Sequence, residues 1–372
     1  MKKLYSLFLL LLPFLSATAQ KELPLYIGTY TNSGSYGVYV AKFDLTTGIM
    51  LIVDSLQADN PSYLALNSTG DRLYAVSENA GTNPGAVVSF LKEGQQWKKL
   101  NATPIPTGGD HPCYISIDSK SRYAIVANYS SGSLSVLPID KNGSIRPAVQ
   151  LIQQYGSSVN SSRQQSPHVH TAIFSPQEKY VVIADLGTDM VKAYPFKPES
   201  KTPLDTQNLI TIRSTPGSGP RHIAFHPTLN TFYVMGELSG KVSVHAFRKK
   251  RIVRLQTIQG DTTSKLPGSA DIHVHPNGRF LYASHRAQAN DISVYSIDAN
   301  DGKLTPVAHQ SVMGIMPRNF TIDPTGRFLL AANQKSNNIT IFSIDEATGN
   351  LQFTGEEIKL PSPVCLVFTN SQ

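Results

Sequence analysis

One pattern recurs seven times along this chain, and a chain of like units at a spacing of roughly fifty residues has few folds open to it. Half of the pattern is a strand, usually led by Pro, then a turn and a second strand. It is seen in Asn60-Pro61-Ser62-Tyr63-Leu64-Ala65-Leu66 with Leu73-Tyr74-Ala75-Val76-Ser77-Glu78. It returns in His111-Pro112-Cys113-Tyr114 with Tyr123-Ala124-Ile125-Val126-Ala127-Asn128, and again after His168, Gly219, Ser269 and Met316. The other half is a third strand of alternating character, as in Ser133-Leu134-Ser135-Val136-Leu137 and Asn338-Ile339-Thr340-Ile341-Phe342, followed by Gly-bearing turns such as Asp301-Gly302 and Thr348-Gly349. Period-two alternation closed by such turns predicts antiparallel hairpins, and no stretch sustains a helical period.

The two ends of the chain carry complementary halves of one unit. Pro363-Val364-Cys365-Leu366-Val367-Phe368 matches the first strand of the pattern, and the second strand that should follow it stands at the other end, as Leu25-Tyr26-Ile27-Gly28-Thr29-Tyr30. Pairing them removes the open sheet edge that a linear array leaves exposed. The expectation is therefore an all-β chain: a single seven-bladed β-propeller of four-stranded antiparallel blades, its ring closed by the N- and C-terminal strands, over residues 20–372. With 372 residues, 40% of them hydrophobic and 16% charged, the chain has the apolar content for so large a core.

Residues 1–19 read differently. Met1-Lys2-Lys3 is a basic start, Leu4 to Leu15 is an apolar run short for a bilayer, and Ser16-Ala17-Thr18-Ala19 offers small residues for cleavage. This predicts a signal peptide and export to the periplasm or the medium, without membrane insertion. Cys113 and Cys365 fall in non-adjacent units and are expected as free, buried thiols. The net charge of +7 is scattered apart from Arg248-Lys249-Lys250-Arg251, which reads as a solvated hairpin turn because no aromatic-interleaved motif accompanies it. Nucleic acid is thus not an expected partner, and no obligate protein partner is implied.

If each first strand runs along a central channel and the second returns, residues before the first and after the second share one mouth. Those positions hold Asn60, His111, His168 with His170, Arg221, Asp271 and Arg318 on one side, and Glu78, Asn128, Asp185, Glu237, His285 with Arg286, and Asn333 with Gln334 on the other. Such a mixture of His, Arg and carboxylates marks a candidate polar site. His168-Val169-His170 and His273-Val274-His275 each put two imidazoles on one strand face, but no carboxylate or Cys at ligand spacing joins them, so neither metal nor other cofactor is expected. His273 and His275 fit an inner strand and its turn, and Trp97 fits hairpin packing.

Together these segments resemble the seven-bladed lactonase family, which includes the propeller-type bacterial 6-phosphogluconolactonases and fungal carboxy-muconate lactonising enzymes. The carriers span nearly all of the mature chain: Tyr26-Ile27-Gly28-Thr29-Tyr30-Thr31, His111-Pro112-Cys113-Tyr114, Ser166-Pro167-His168-Val169-His170, Gly219-Pro220-Arg221-His222, Gly236-Glu237-Leu238, Ala283-Ser284-His285-Arg286 and Pro317-Arg318-Asn319. The resemblance implies catalytic residues at His168 or His170, Arg221, Glu237 and Arg286; a Ser-rich insertion from Tyr155 to Ser166 leaves the choice of His open. His111, Asn128, Asp185, His285, Arg318 and Asn333 are the expected substrate-binding residues.

Ester hydrolysis needs a base for water, a stabiliser for the oxyanion and, for an anionic substrate, cations to hold it. Arg221 and Arg286 suit the last two roles, and Glu237 or a His the first. No Gly-x-Ser-x-Gly elbow occurs, so direct attack by water is expected rather than an acyl-enzyme. The leading expectation is a hydrolase opening anionic sugar lactones, 6-phosphogluconolactone above all. Two alternatives stand beside it, an exported binding propeller without catalysis and a muconate-type lactonising isomerase.

Overall fold

The computed structural model describes residues 21–249 and 251–369. Residues 1–19, read above as a signal peptide, and Lys250 lie outside the described residues. The described chain forms seven antiparallel sheets, each with four strands in sequential order from the inside outward, and one of them gains a short fifth, Ile105–Pro106. In the closing blade the innermost strand is Pro363–Phe368, paired with Glu22–Thr29 in the register Leu25 to Phe368, Tyr26 to Val367 and Ile27 to Leu366. The ends thus complete one sheet as their sequences predicted.

The second strands are the most apolar part of each unit because both of their faces are covered. Val181 to Ala184 and Leu329 to Ala332 are fully buried runs, whereas in the outer strand Met50–Gln57 only Met50 and Leu56 are buried. Side chains of neighbouring blades interdigitate, so the hydrophobic core is distributed as seven clusters between blades rather than one at the centre. The cluster of Leu25, Ile27, Phe43, Leu330, Ile341 and Leu366 joins the closing blade to the one before it.

Polar pegs repeat across the same interfaces. His226 Nε2 donates to the carbonyl of Gly278 at 2.9 Å, and His275 Nε2 donates to that of Gly326 at 2.8 Å, each reaching the turn of the next blade. Tyr233 and Tyr282 hydroxyls likewise donate to Gly302 and Gly349. His275 is thus a turn residue beyond the strand Ser269–Val274, as its sequence context suggested. At Gly28 the second strand of the closing blade passes the next blade so closely that a Cβ would stand 2.2 Å from the Pro61 carbonyl.

Other expectations are met in detail. Both Cys113 and Cys365 are free and buried. Arg248 ends one strand and Arg251 begins the next, with exposed Lys249 in the turn between them. Trp97 lies on the short strand Gln96–Lys99 and meets Tyr26 edge-on at 5.4 Å.

Candidate active site

A pocket of about 490 Å³ opens at one mouth of the central channel. Two repeated backbone features build it. The first is a bulge at the start of the inner strand. Pro112 pairs with Asn128 and Tyr114 with Ala127, leaving Cys113 extra; Val169 and Thr171 pair with Asp185 and Ala184, leaving His170 extra. Pro317 and Asn319 likewise bracket Arg318, and the register shifts again around Arg221. A proline without an N–H interrupts the ladder in most of these units, and the bulge turns the following side chain out of the sheet. Cys113, His170 and Arg318 thereby line the pocket.

Backbone conformation at the preceding residue is part of the same device. Asn60, His111, Met316 and Ser362 all adopt left-handed φ between 44° and 67°, and the corresponding position of another blade is Gly219 at 61°. Only glycine takes that conformation without cost, so the other four hold strain at the channel mouth.

The second feature is the residue immediately after each second strand. Tyr30, Glu78, Tyr129, Glu237 and Arg286 occupy this position in five blades, and all five line the pocket. The residue one step earlier, the last of the strand, points the other way. Asn128 donates to Ser133 Oγ and Ser135 Oγ, and Asn333 to Thr340 Oγ1 and the Val312 carbonyl. His285 is held between Ser269 and Ser293, and Asp185 accepts from the amides of His168 and Gly187 and from Thr188 Oγ1. Asn128, Asp185, His285 and Asn333, expected to bind substrate, thus turn into the blades and are not part of the pocket lining. Successive strand residues face opposite sides, so a shift of one position moves a side chain from the pocket into the blade.

The two candidate histidines separate by the same logic. His168 stacks on Tyr129 with ring centroids 4.6 Å apart and donates from Nδ1 to the Tyr129 carbonyl at 3.1 Å, outside the pocket lining. His170 lines the pocket, meets Tyr129 edge-on, and has Nδ1 3.7 Å from Cys113 Sγ. Burial, reinforced by Arg221, His222 and Arg318, holds its pKa well below the usual imidazole value, so it is neutral at neutral pH. His111, another expected binder, lines a neighbouring hollow and lies 2.7 Å from Ser130 Oγ.

Glu237 is the electrostatic centre. Its Oε2 lies 2.9 Å from Arg221 Nε and 3.2 Å from Arg286 Nη2, and its Oε1 accepts from Arg163 Nη2 at 2.7 Å. Burial alone would raise this carboxyl, but Arg286, Arg221 and Arg163 outweigh it and hold it at about 2. With both oxygens engaged by three guanidinium groups, Glu237 is placed to organise those cations rather than to take a proton from water. Arg221 itself is 1% exposed and lies behind Glu237, with Nη1 donating to the Ala270 carbonyl at 2.7 Å. Arg286 is fixed from its other side by the Gly268 carbonyl, 2.5 Å from Nε, and burial lowers its pKa to about 10.

On the opposite wall Arg318 lies over the Tyr30 ring at 5.4 Å and 3.8 Å from Glu78 Oε2, which accepts from the Tyr30 hydroxyl at 2.8 Å. Lys335 also lines the pocket and forms no ion pair among the described residues. Arg163, Arg286, Arg318 and Lys335 thus face Glu78 and Glu237, and the lining is net cationic. The burial of Cys113 pushes its thiol far above the usual range, which removes it as a nucleophile. Among the described residues no group of three or more His, Cys, Asp or Glu is placed to hold a metal ion.

Arg163, Tyr30, Tyr129, Cys113 and Lys335 were not among the expected site residues, and Glu78 was named only for its repeat position. Aligning the units on the residue after the second strand would have recovered Tyr30, Glu78 and Tyr129. Arg163 comes from the aperiodic insertion and had no such signal.

Residues 24–368 match the profile of a family described as "Lactonase, 7-bladed beta-propeller". The chain is 35% identical to the 6-phosphogluconolactonase of Bacillus subtilis over 353 residues, covering 92% of this chain and 97% of that one. It is 34% identical to the 6-phosphogluconolactonase of Formosa agariphila, over 90% of this chain and 96% of the other. The solved periplasmic gluconolactonase of Pseudomonas aeruginosa superposes with a TM-score of 0.87 at 32% identity, covering 94% of this chain and all of that one.

Proposed function

This chain belongs to the seven-bladed β-propeller lactonases, and from that premise we propose that it hydrolyses sugar lactones, 6-phosphogluconolactone first among them, in the pocket at the channel mouth. The observation that carries the reading is the charge layout. Four cationic side chains line the pocket against two carboxylates, and one of those carboxylates is already engaged by three guanidinium groups. Uncommitted positive charge remains for an anionic substrate and for the oxyanion formed from its carbonyl.

In this mechanism a water molecule attacks the lactone carbonyl carbon while neutral His170 takes one of its protons. Negative charge develops on the carbonyl oxygen and is stabilised by Arg286, which Glu237 and the Gly268 carbonyl hold in place. The tetrahedral intermediate collapses as the bond from the carbonyl carbon to the ring oxygen breaks. The proton held by His170 passes to that oxygen, giving a hydroxyl and a carboxylic acid, which then ionises. Arg318 and Lys335 hold the phosphate of a phosphorylated substrate.

Residues 1–19 support an exported protein, which favours unphosphorylated lactones as additional substrates. Proton release from gluconolactone and its 6-phosphate, measured with the purified chain and corrected for spontaneous opening, tests the reading. A rate no higher than the spontaneous one on both compounds rejects it.

A further inference from the structure

Beside the cationic pocket lies a second hollow of about 470 Å³, and Tyr30 and Glu78 line both. Its lining has no Lys or Arg; Asn32, Asn60, Asn79, Asn83 and Gln334 supply carboxamides instead. These amides are oriented by one another and by Asp59. Asn79 Nδ2 and Asn83 Nδ2 donate to Asp59 Oδ2 at 2.8 and 2.9 Å, and Asn60 Nδ2 donates to Asn79 Oδ1 at 2.8 Å.

Part of their hydrogen-bonding capacity is unspent, chiefly at Asn32 and Asn83, whereas Asn60 Oδ1 already accepts from Thr31 N and Oγ1. Each carboxamide offers two donors and an acceptor, and Gln334 Oε1 is out of reach of solvent with no partner among the described residues. The backbone at both edges is strained, with Asn60 at φ 44° and His111 at φ 50°.

A phosphate or carboxylate would find no cation here, and an acyl chain would leave the amides unpaired at a cost. Hydroxyl groups, each both donor and acceptor, match carboxamides. We propose that this hollow is a second sugar subsite, so that an aldonolactone carrying a glycosyl substituent is preferred over the unsubstituted, unphosphorylated lactone. The lactone ring occupies the cationic pocket, and the neutral sugar extends past Tyr30 into the amide-lined hollow. The proposal rests on the lactonase reading and adds the size and chemistry of the substrate.

The test compares kcat/KM for cellobiono-1,5-lactone with that for glucono-1,5-lactone, in the unaltered protein and in Asn32→Ala and Asn83→Ala, whose exposed side chains carry little of the fold. The ratio of the two constants is the readout, because partial loss of folded protein cancels from it. The expected result is a preference of about tenfold or more for the disaccharide lactone, reduced several-fold by each substitution, as for the loss of a neutral hydrogen bond. Turnover of gluconolactone without that preference, or a preference that neither substitution alters, overturns the subsite while the lactonase reading stands. Failure to turn over either lactone or gluconolactone 6-phosphate overturns both.

Discussion

Arg163 and Glu237 are 74 residues apart in sequence, yet Nη2 of one lies 2.7 Å from Oε1 of the other. The contact ties the Ser-rich insertion to a carboxylate that already holds Arg221 and Arg286. Glu237 thereby sets the positions of three cations from three different segments of the chain.

Substitution should reveal that organising role. Glu237→Gln leaves buried Arg221 facing a neutral amide, and about 3–5 kcal/mol of stability should be lost. Calorimetry should show a lower unfolding midpoint, and lactone turnover should fall with no new inflection in its pH profile. Arg163→Ala removes a half-exposed partner. It should cost less than about 1 kcal/mol while lowering kcat/KM by about tenfold, equivalent to about 1.4 kcal/mol. A Glu237→Gln protein of unchanged midpoint would show that the cluster is not held as described.

The two histidines next to Val169 should behave differently. His170→Asn is expected to lower kcat by about 10²-fold or more, the contribution of a positioned base, while His168→Asn should retain most of the activity and lose some stability through the Tyr129 stack. Because burial first and Arg221 next keep the His170 pKa well below 6.5, kcat/KM should be level through neutral pH and fall only well below 6.5. An acid limb centred near 6.5 would assign the base elsewhere.

Acid should destabilise the fold before carboxylates titrate. Burial lowers the pKa values of His222 and His285 to about 4 and that of His245 to about 3. An unfolded chain binds protons at these residues near pH 6.5, so stability is full above that value and declines as pH falls toward 4. Each buried imidazole contributes about 2 kcal/mol of that loss by pH 5. Glu237 adds a second loss between about 4.5 and 2. Thermal midpoints should stay level from pH 7.5 to about 6.5 and fall from there to 4.5, and His245→Phe should flatten that slope.

Phosphate recognition is separable from lactone opening. Arg318→Met and Lys335→Met should raise KM for 6-phosphogluconolactone by about tenfold or more, consistent with loss of a charge-assisted contact, and change the constants for gluconolactone much less. Equal effects on both substrates would move the phosphate away from these residues.

Ring closure has its own measurement. Leu366, 4% exposed, packs between the closing blade and its neighbour although it lies near the C-terminus. Leu366→Ala should cost about 2–5 kcal/mol, as much as Leu329→Ala in a blade built from continuous chain. A negligible cost would mean that the ring is open in solution.

Much of the fold could be read directly because its determinants are local and repeated. Alternation in Ser133 to Leu137, the fully apolar second strands and the Gly turns each specify a strand or hairpin. Their sevenfold recurrence, with half a unit at each end, specifies the closed ring. The residue types of the site were also legible, since His170, Arg221, Glu237, Arg286 and Arg318 break an otherwise structural pattern. What the pattern left open was which way each side chain turns. Asn128 and Tyr129, or His285 and Arg286, are chain neighbours on opposite faces, and a bulge too small to mark the sequence turns His170 into the channel while His168 stacks outside it.

Sequence alone therefore determined the number of blades, the closure of the ring and the chemical character of the mouth, because each depends on a periodicity or composition that the unfolded chain already carries. Tertiary structure alone decided that Arg163 joins Glu237, that three guanidinium groups keep this carboxylate ionised, and that an amide-lined hollow shares Tyr30 and Glu78 with the pocket. Those relationships depend on distances between segments tens to hundreds of residues apart, and the electrostatics that follow from them exist only after folding has removed water from between the charges.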